Sequence, residues 1–93
     1  MSVRAKETVI FILPSIHHVL RAEKVLQKAG QDFDLVPVPK EVNPDCGLAV
    51  EADPDQAGRV ARLLAGAGLK IEAAFHRKKG AFLPWNPGPE STS

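Results

Sequence analysis

The sequence predicts an α+β fold of the order β-α-β-β-α-β, with two helices on one face of a four-stranded antiparallel sheet. Three observations predict it. A β-branched and aromatic run, Val9-Ile10-Phe11-Ile12-Leu13, stops at Pro14. Two stretches with helical apolar spacing each end in a glycine, Gly30 and Gly68. Short apolar runs bounded by proline, asparagine, aspartate and glycine lie between and after them. This alternation of periods is that of the ferredoxin-like split arrangement.

Each element has its own warrant. Residues 1–7 are polar and read as a frayed N-terminus. The run 9–13 reads as a central strand buried on both faces. Ser15 offers an oxygen to the free amides of a first helix. Ile16, Val19, Leu20, Leu26 and Ala29 form its apolar stripe, and Gly30 stops it. A second strand spans 33–38, and Pro37 places it at a sheet edge, where a missing amide costs little. A loop over 39–45 leads to a third strand, 48–52. Asp53-Pro54-Asp55-Gln56 starts the second helix with a cap, a proline and a glutamine. Ala57, Val60, Ala61, Leu64 and Ala67 form its stripe, with Gly68 as the stop. The segment 69–75 alternates, with Leu69, Ile71, Ala73 and Phe75 on one face of a fourth strand. The folded domain is thus expected over 8–77. Gly80, Pro84, Pro87, Gly88 and Pro89 make 78–93 read as a flexible tail, with Trp85 loose in it.

Composition narrows the function. The chain has 93 residues, enough for one domain, and 44% of them are apolar. Twelve basic side chains face eleven acidic ones, so the total implies no strongly basic face for a phosphate backbone. An RNA-recognition surface needs aromatic platforms on the central strands, and only Phe11 is on offer. No nucleic-acid partner is expected. The run 9–13 is too short for a signal h-region or a membrane span, so a soluble cytoplasmic protein without a membrane partner is expected.

The single cysteine draws the eye. Cys46 lies in Asn43-Pro44-Asp45-Cys46-Gly47, a turn sequence between two apolar runs. Turns lie at the surface, where an unused thiol oxidises. One cysteine makes no internal disulfide. His17, His18 and Cys46 are too few for a sound metal site, and no metal or cofactor is expected. In the split topology the loop before strand 3 returns to the end where helix 1 starts, beside Ser15, His17 and His18. A helix N-terminus presents free amides and about half a positive charge, which favours a thiolate. Adjacent helical residues point about 100° apart, so at most one histidine faces the thiol.

Four segments recur together in one known family: Ser15-Ile16-His17-His18, Arg21-Ala22-Glu23-Lys24, Pro37-Val38-Pro39-Lys40 and Cys46-Gly47-Leu48-Ala49. Over nearly the whole folded part, the chain resembles small bacterial proteins described as selenium/sulfur carrier-like. The resemblance implies that Cys46 holds sulfur or selenium as a persulfide or selenosulfide. Cys46 and Gly47 match its cysteine motif, His17 and His18 its histidine pair, and Lys40 its basic position. Ile16 departs from a threonine common there. On this reading Ser15, His17 and His18 stabilise the anion, Lys40 adds positive potential, and Gly47 lets a partner's loop approach. The partners implied are a desulfurase-like donor enzyme and an acceptor protein, which makes the chain a covalent carrier more than a true enzyme. The competing reading is a non-catalytic, ligand-binding regulatory module of ferredoxin-like (ACT-like) fold. Such a module would form a homodimer through a sheet edge, bind a small molecule at the same strand–helix end and dispense with Cys46.

Overall fold

A computed structural model describes residues 7–38, 47–78 and 80–85. Its elements are β1 (Glu7–Ile12), α1 (Ile16–Lys28), β2 (Asp34–Pro37), β3 (Leu48–Ala52), α2 (Pro54–Gly66), β4 (Ala73–Lys78) and β5 (Ala81–Pro84). The chain is α+β, with two helices and an antiparallel sheet of order β2-β3-β1-β4-β5.

The sheet has five strands where the sequence predicts four. The extra strand, Ala81–Pro84, lies in the stretch read as tail. Gly80 adopts φ 81°, a left-handed conformation that glycine reaches without steric cost, and so reverses the chain after β4. β5 then pairs along β4, with His76 opposite Leu83 and Arg77 opposite Phe82. Pro84 is tolerated because β5 is an edge strand. The next residue, Trp85, packs back on the domain. Its amide donates to the Ala74 carbonyl at 2.9 Å, and its indole meets Phe11 edge-on at 5.4 Å between ring centroids.

Strand alternation divides the core in two. Val9, Phe11 and Leu13 face the helices, where they join Val19, Ala22 and Leu26 of α1, Val50 and Ala52 of β3, and Ala57, Val60, Ala61 and Leu64 of α2. Ile10 and Ile12 point the other way and cluster with Ala49, Val36, Val38, Ala73 and Phe75. All of 9–13 is buried, as expected of a central strand. On the helix-free face Thr8 donates to Glu51 Oε2 at 2.8 Å. The Arg77 guanidinium meets the same oxygen at 2.8 Å and donates from Nε to Thr8 Oγ1 at 3.2 Å. Three adjacent strands are thereby tied by one buried carboxylate.

Both helices end alike. Gly30 and Gly68 have φ 70° and 79°. The amides after them, on Gln31 and Leu69, donate back to Leu26 and Leu64 at 2.9 and 3.0 Å, and the glycine amides to Gln27 and Ala65. These are Schellman caps. The second corrects the expected fourth strand. Leu69 is drawn into the helix-side core as the cap's apolar contact, and β4 starts only at Ala73. Leu69 and Ile71 therefore pack with the helix-side core, whereas Ala73 and Phe75 face away from it. The expected α1 stripe also changes. Ile16 and Leu20 are 37% and 46% exposed, and Ala22 takes the buried place. Leu20 is rotated about 100° from Val19 around the axis, which turns it to solvent.

Candidate functional site

The antiparallel directions gather several chain ends at one edge of the domain. β1 ends there, α1 starts there, β2 ends there and β3 starts there. The Val38 amide donates to the Gly47 carbonyl at 3.1 Å, closing the β2–β3 ladder at this end. The Glu72 amide donates to the Ile12 carbonyl at 2.8 Å, which brings the start of β4 to the same place.

Pro14 ends β1, and Ser15 takes an extended conformation (φ −156°, ψ 168°) as the N-cap of α1. Its hydroxyl accepts from the His18 amide at 3.4 Å and lies 2.7 Å from His18 Nδ1. The structure thus brings Ser15 and His18 together, with His18 half-buried and His17 exposed. No acidic residue occupies the first turn of α1. The positive end of its dipole therefore meets no carboxylate from its own first turn.

Gly47 is exposed and has no positive φ. A Cβ built there meets no described atom within 4 Å. Neither backbone strain nor packing among the described residues calls for glycine at this position. Cys46 and Lys40 lie outside the described residues.

Sequence reasoning missed one feature of this end. A cavity of about 320 Å³ opens between Phe11, Ala61, Ile71, Glu72 and Trp85. Small side chains, Ala61 on α2 and Ala73 and Ala74 on β4, leave its volume unfilled. The signal available was Trp85, but only the β5 hairpin carries the indole to Phe11. Among the described residues no group of three or more histidine, cysteine, aspartate or glutamate side chains is placed to hold a metal ion. No helix among them is long and apolar enough to cross a membrane.

Comparison with known proteins gives two matches. The family described as "Putative Se/S carrier protein-like" matches over residues 8–76. A curated protein of Aquifex aeolicus (strain VF5), named "Putative sulfur carrier protein", is 31% identical over a 75-residue alignment that covers 78% of this chain. The matched part is 38% of that relative's length, so the chain spans well under two thirds of it. No solved structure matches.

Proposed function

Because the chain belongs to this Se/S carrier-like family, we infer that it is a sulfur or selenium carrier loaded on Cys46. The cargo is held as a persulfide or a selenosulfide. The observation that carries this reading is the first turn of α1: capped by Ser15, lacking any acid, and set at the sheet end where β3 begins. Cys46 is bonded to Gly47, one residue before β3. On the ferredoxin-like reading of the frame, this returns the thiol to the α1 tip.

The chemistry is sulfur transfer without net oxidation. The Cys46 thiolate attacks the terminal sulfur of a donor's cysteine persulfide. A new S–S bond forms on Cys46 as the donor's S–S bond breaks, and the donor cysteine leaves as its thiolate. The acceptor's thiolate repeats the exchange in the other direction. Rates of such exchange follow thiolate fraction, leaving ability and access. The α1 dipole favours the anion, His18 and Ser15 offer hydrogen-bonding groups at the tip, His17 is open to solvent beside them, and Lys40 adds positive potential. A Cβ at Gly47 would meet no described atom within 4 Å, which supports close approach by a partner loop. A desulfurase-like donor and an acceptor protein are the implied partners, in a cytoplasmic, reducing setting.

Intact-mass analysis after incubation with a cysteine desulfurase and cysteine tests this. The wild type is expected to gain one sulfur and the Cys46→Ser variant none. A wild type that gains nothing, or a variant that gains as much, ends the carrier reading. The cavity beside Trp85 favours a second reading, a noncovalent ligand-binding module. Ligand binding fully retained in Cys46→Ser, with no loading of the wild type, would select it.

A further inference from the structure

The outer face of α1 has a composition that folding does not explain. Ile16 and Leu20, four residues apart on one row, are 37% and 46% exposed. Lys24 continues that row, and Arg21 lies about 100° round the axis from Leu20, both exposed. No ion pair or hydrogen bond among the described residues engages either cation. Lys28, in the last turn, sits where the helix dipole favours a cation. Arg21 and Lys24 are mid-helix, where the dipole gives no such reason. The contrast with α2 lies in the apolar side chains, since Arg62 of α2 is likewise exposed and engaged by no bond among the described residues. Arg59 of that helix donates to Gln31 Oε1 at 2.6 Å and to the Ala29 carbonyl at 3.3 Å, and α2 has no large exposed apolar side chain.

We propose that Ile16, Leu20, Arg21 and Lys24 form the docking ridge for the donor enzyme, whose complementary surface is acidic around an apolar spot. This rests on the carrier reading, because the ridge begins one residue from the Ser15 cap and runs away from the transfer site. The row from Ile16 to Lys24 is about 12 Å long at 1.5 Å per residue, which is enough for a contact and short for a membrane anchor. Two apolar side chains give the anchor and two cations the steering, the usual division at transient protein contacts. The chain as a whole carries a net charge of only +1, so the ridge is a local feature and not part of a general basic surface.

The test compares two donors. A cysteine desulfurase charged with cysteine must dock; inorganic polysulfide has no docking surface. The variant is Arg21→Glu with Lys24→Glu, and Arg21→Gln with Lys24→Gln serves as the neutral control. Thermal melts establish that both fold. The reversal is expected to slow loading by the desulfurase about 10-fold, with the control intermediate, and to leave loading by polysulfide unchanged. Wild-type loading by the enzyme should fall as salt rises, and the reversed variant's should not. No slowing with the enzyme, or equal slowing with polysulfide, overturns the ridge while the carrier reading stands. A wild type that the desulfurase never loads overturns the carrier reading and the ridge with it. Charge-dependent binding to phosphatidylglycerol vesicles, with enzyme loading unaffected, would give the ridge to a lipid surface and overturn its assignment to a protein.

Discussion

The two ends of the sheet use their polar side chains differently. At the end where β1 starts, polar groups satisfy one another. Thr8, Glu51 and Arg77 form one bonded set; Glu7 meets His76 at 3.0 Å and Lys78 at 3.9 Å. Gln31, Gln56 and Arg59 join the exit of α1 to the entry of α2. At the other end the described polar contacts are few: Ser15 with His18, and a long Lys70–Glu72 pair at 3.9 Å. The helix starts follow the same division. α2 begins at the bonded end and carries Asp55 in its first turn, whereas α1 begins at the sparse end and carries no acid. A carboxylate near a helix start offsets the dipole's positive end. The lesson is that the described side chains bond to one another at one end of this domain, whereas at the other the first turn of α1 carries no acid.

Three substitutions break or sharpen that contrast, taken from the largest effect to the smallest. Glu51→Ala removes the carboxylate that joins β3, β1 and β4 and leaves the buried Thr8 hydroxyl and the half-exposed Arg77 without it. It should lower stability by about 2 kcal/mol in urea titration while the folded fraction loads sulfur normally. Slower loading in the folded protein would mean that the two ends are coupled. Next, His17→Glu gives α1 the first-turn acid it lacks. Loading by polysulfide should slow about five-fold, the equivalent of about 1 kcal/mol at a helix terminus, with the melt unchanged or slightly raised. An unchanged rate would remove the dipole from the account of Cys46. Last, Asp55→Asn strips the acid from α2. It should cost about 0.4 kcal/mol of stability and leave loading alone; a loss several times larger would show that Asp55 does more than offset the dipole.

Much of this architecture was legible in the residues. Local signals set the helices: Ser15 as a side-chain cap, Asp53 at the N-cap position without a side-chain capping bond, Pro54 in the first turn, Gly30 and Gly68 as left-handed stops. Strand β3 spans Leu48–Ala52 as predicted, and Pro37 marked β2 as an edge. Misreadings arose where tertiary packing overrides pattern. Leu69 and Ile71 fit a strand's alternation, but the Schellman cap at Gly68 draws Leu69 to the helix side. Pro84 and Gly80 signalled a tail, yet glycine is what a tight reversal requires, and an edge strand accepts proline. Of the site, the Ser15 cap and its neighbouring histidine were readable because capping is local. Which of His17 and His18 is the more exposed was not, because it depends on which way α1 is rotated against the sheet.

The docked indole has an experimental consequence. The chain contains one tryptophan and no tyrosine, so its ultraviolet emission comes essentially from Trp85. That residue leans on Phe11 in the core, at the sheet end where α1 begins. Emission from a ring half-shielded by protein reddens when the chain opens to water. The native protein thus carries its own optical gauge of integrity, readable without a dye.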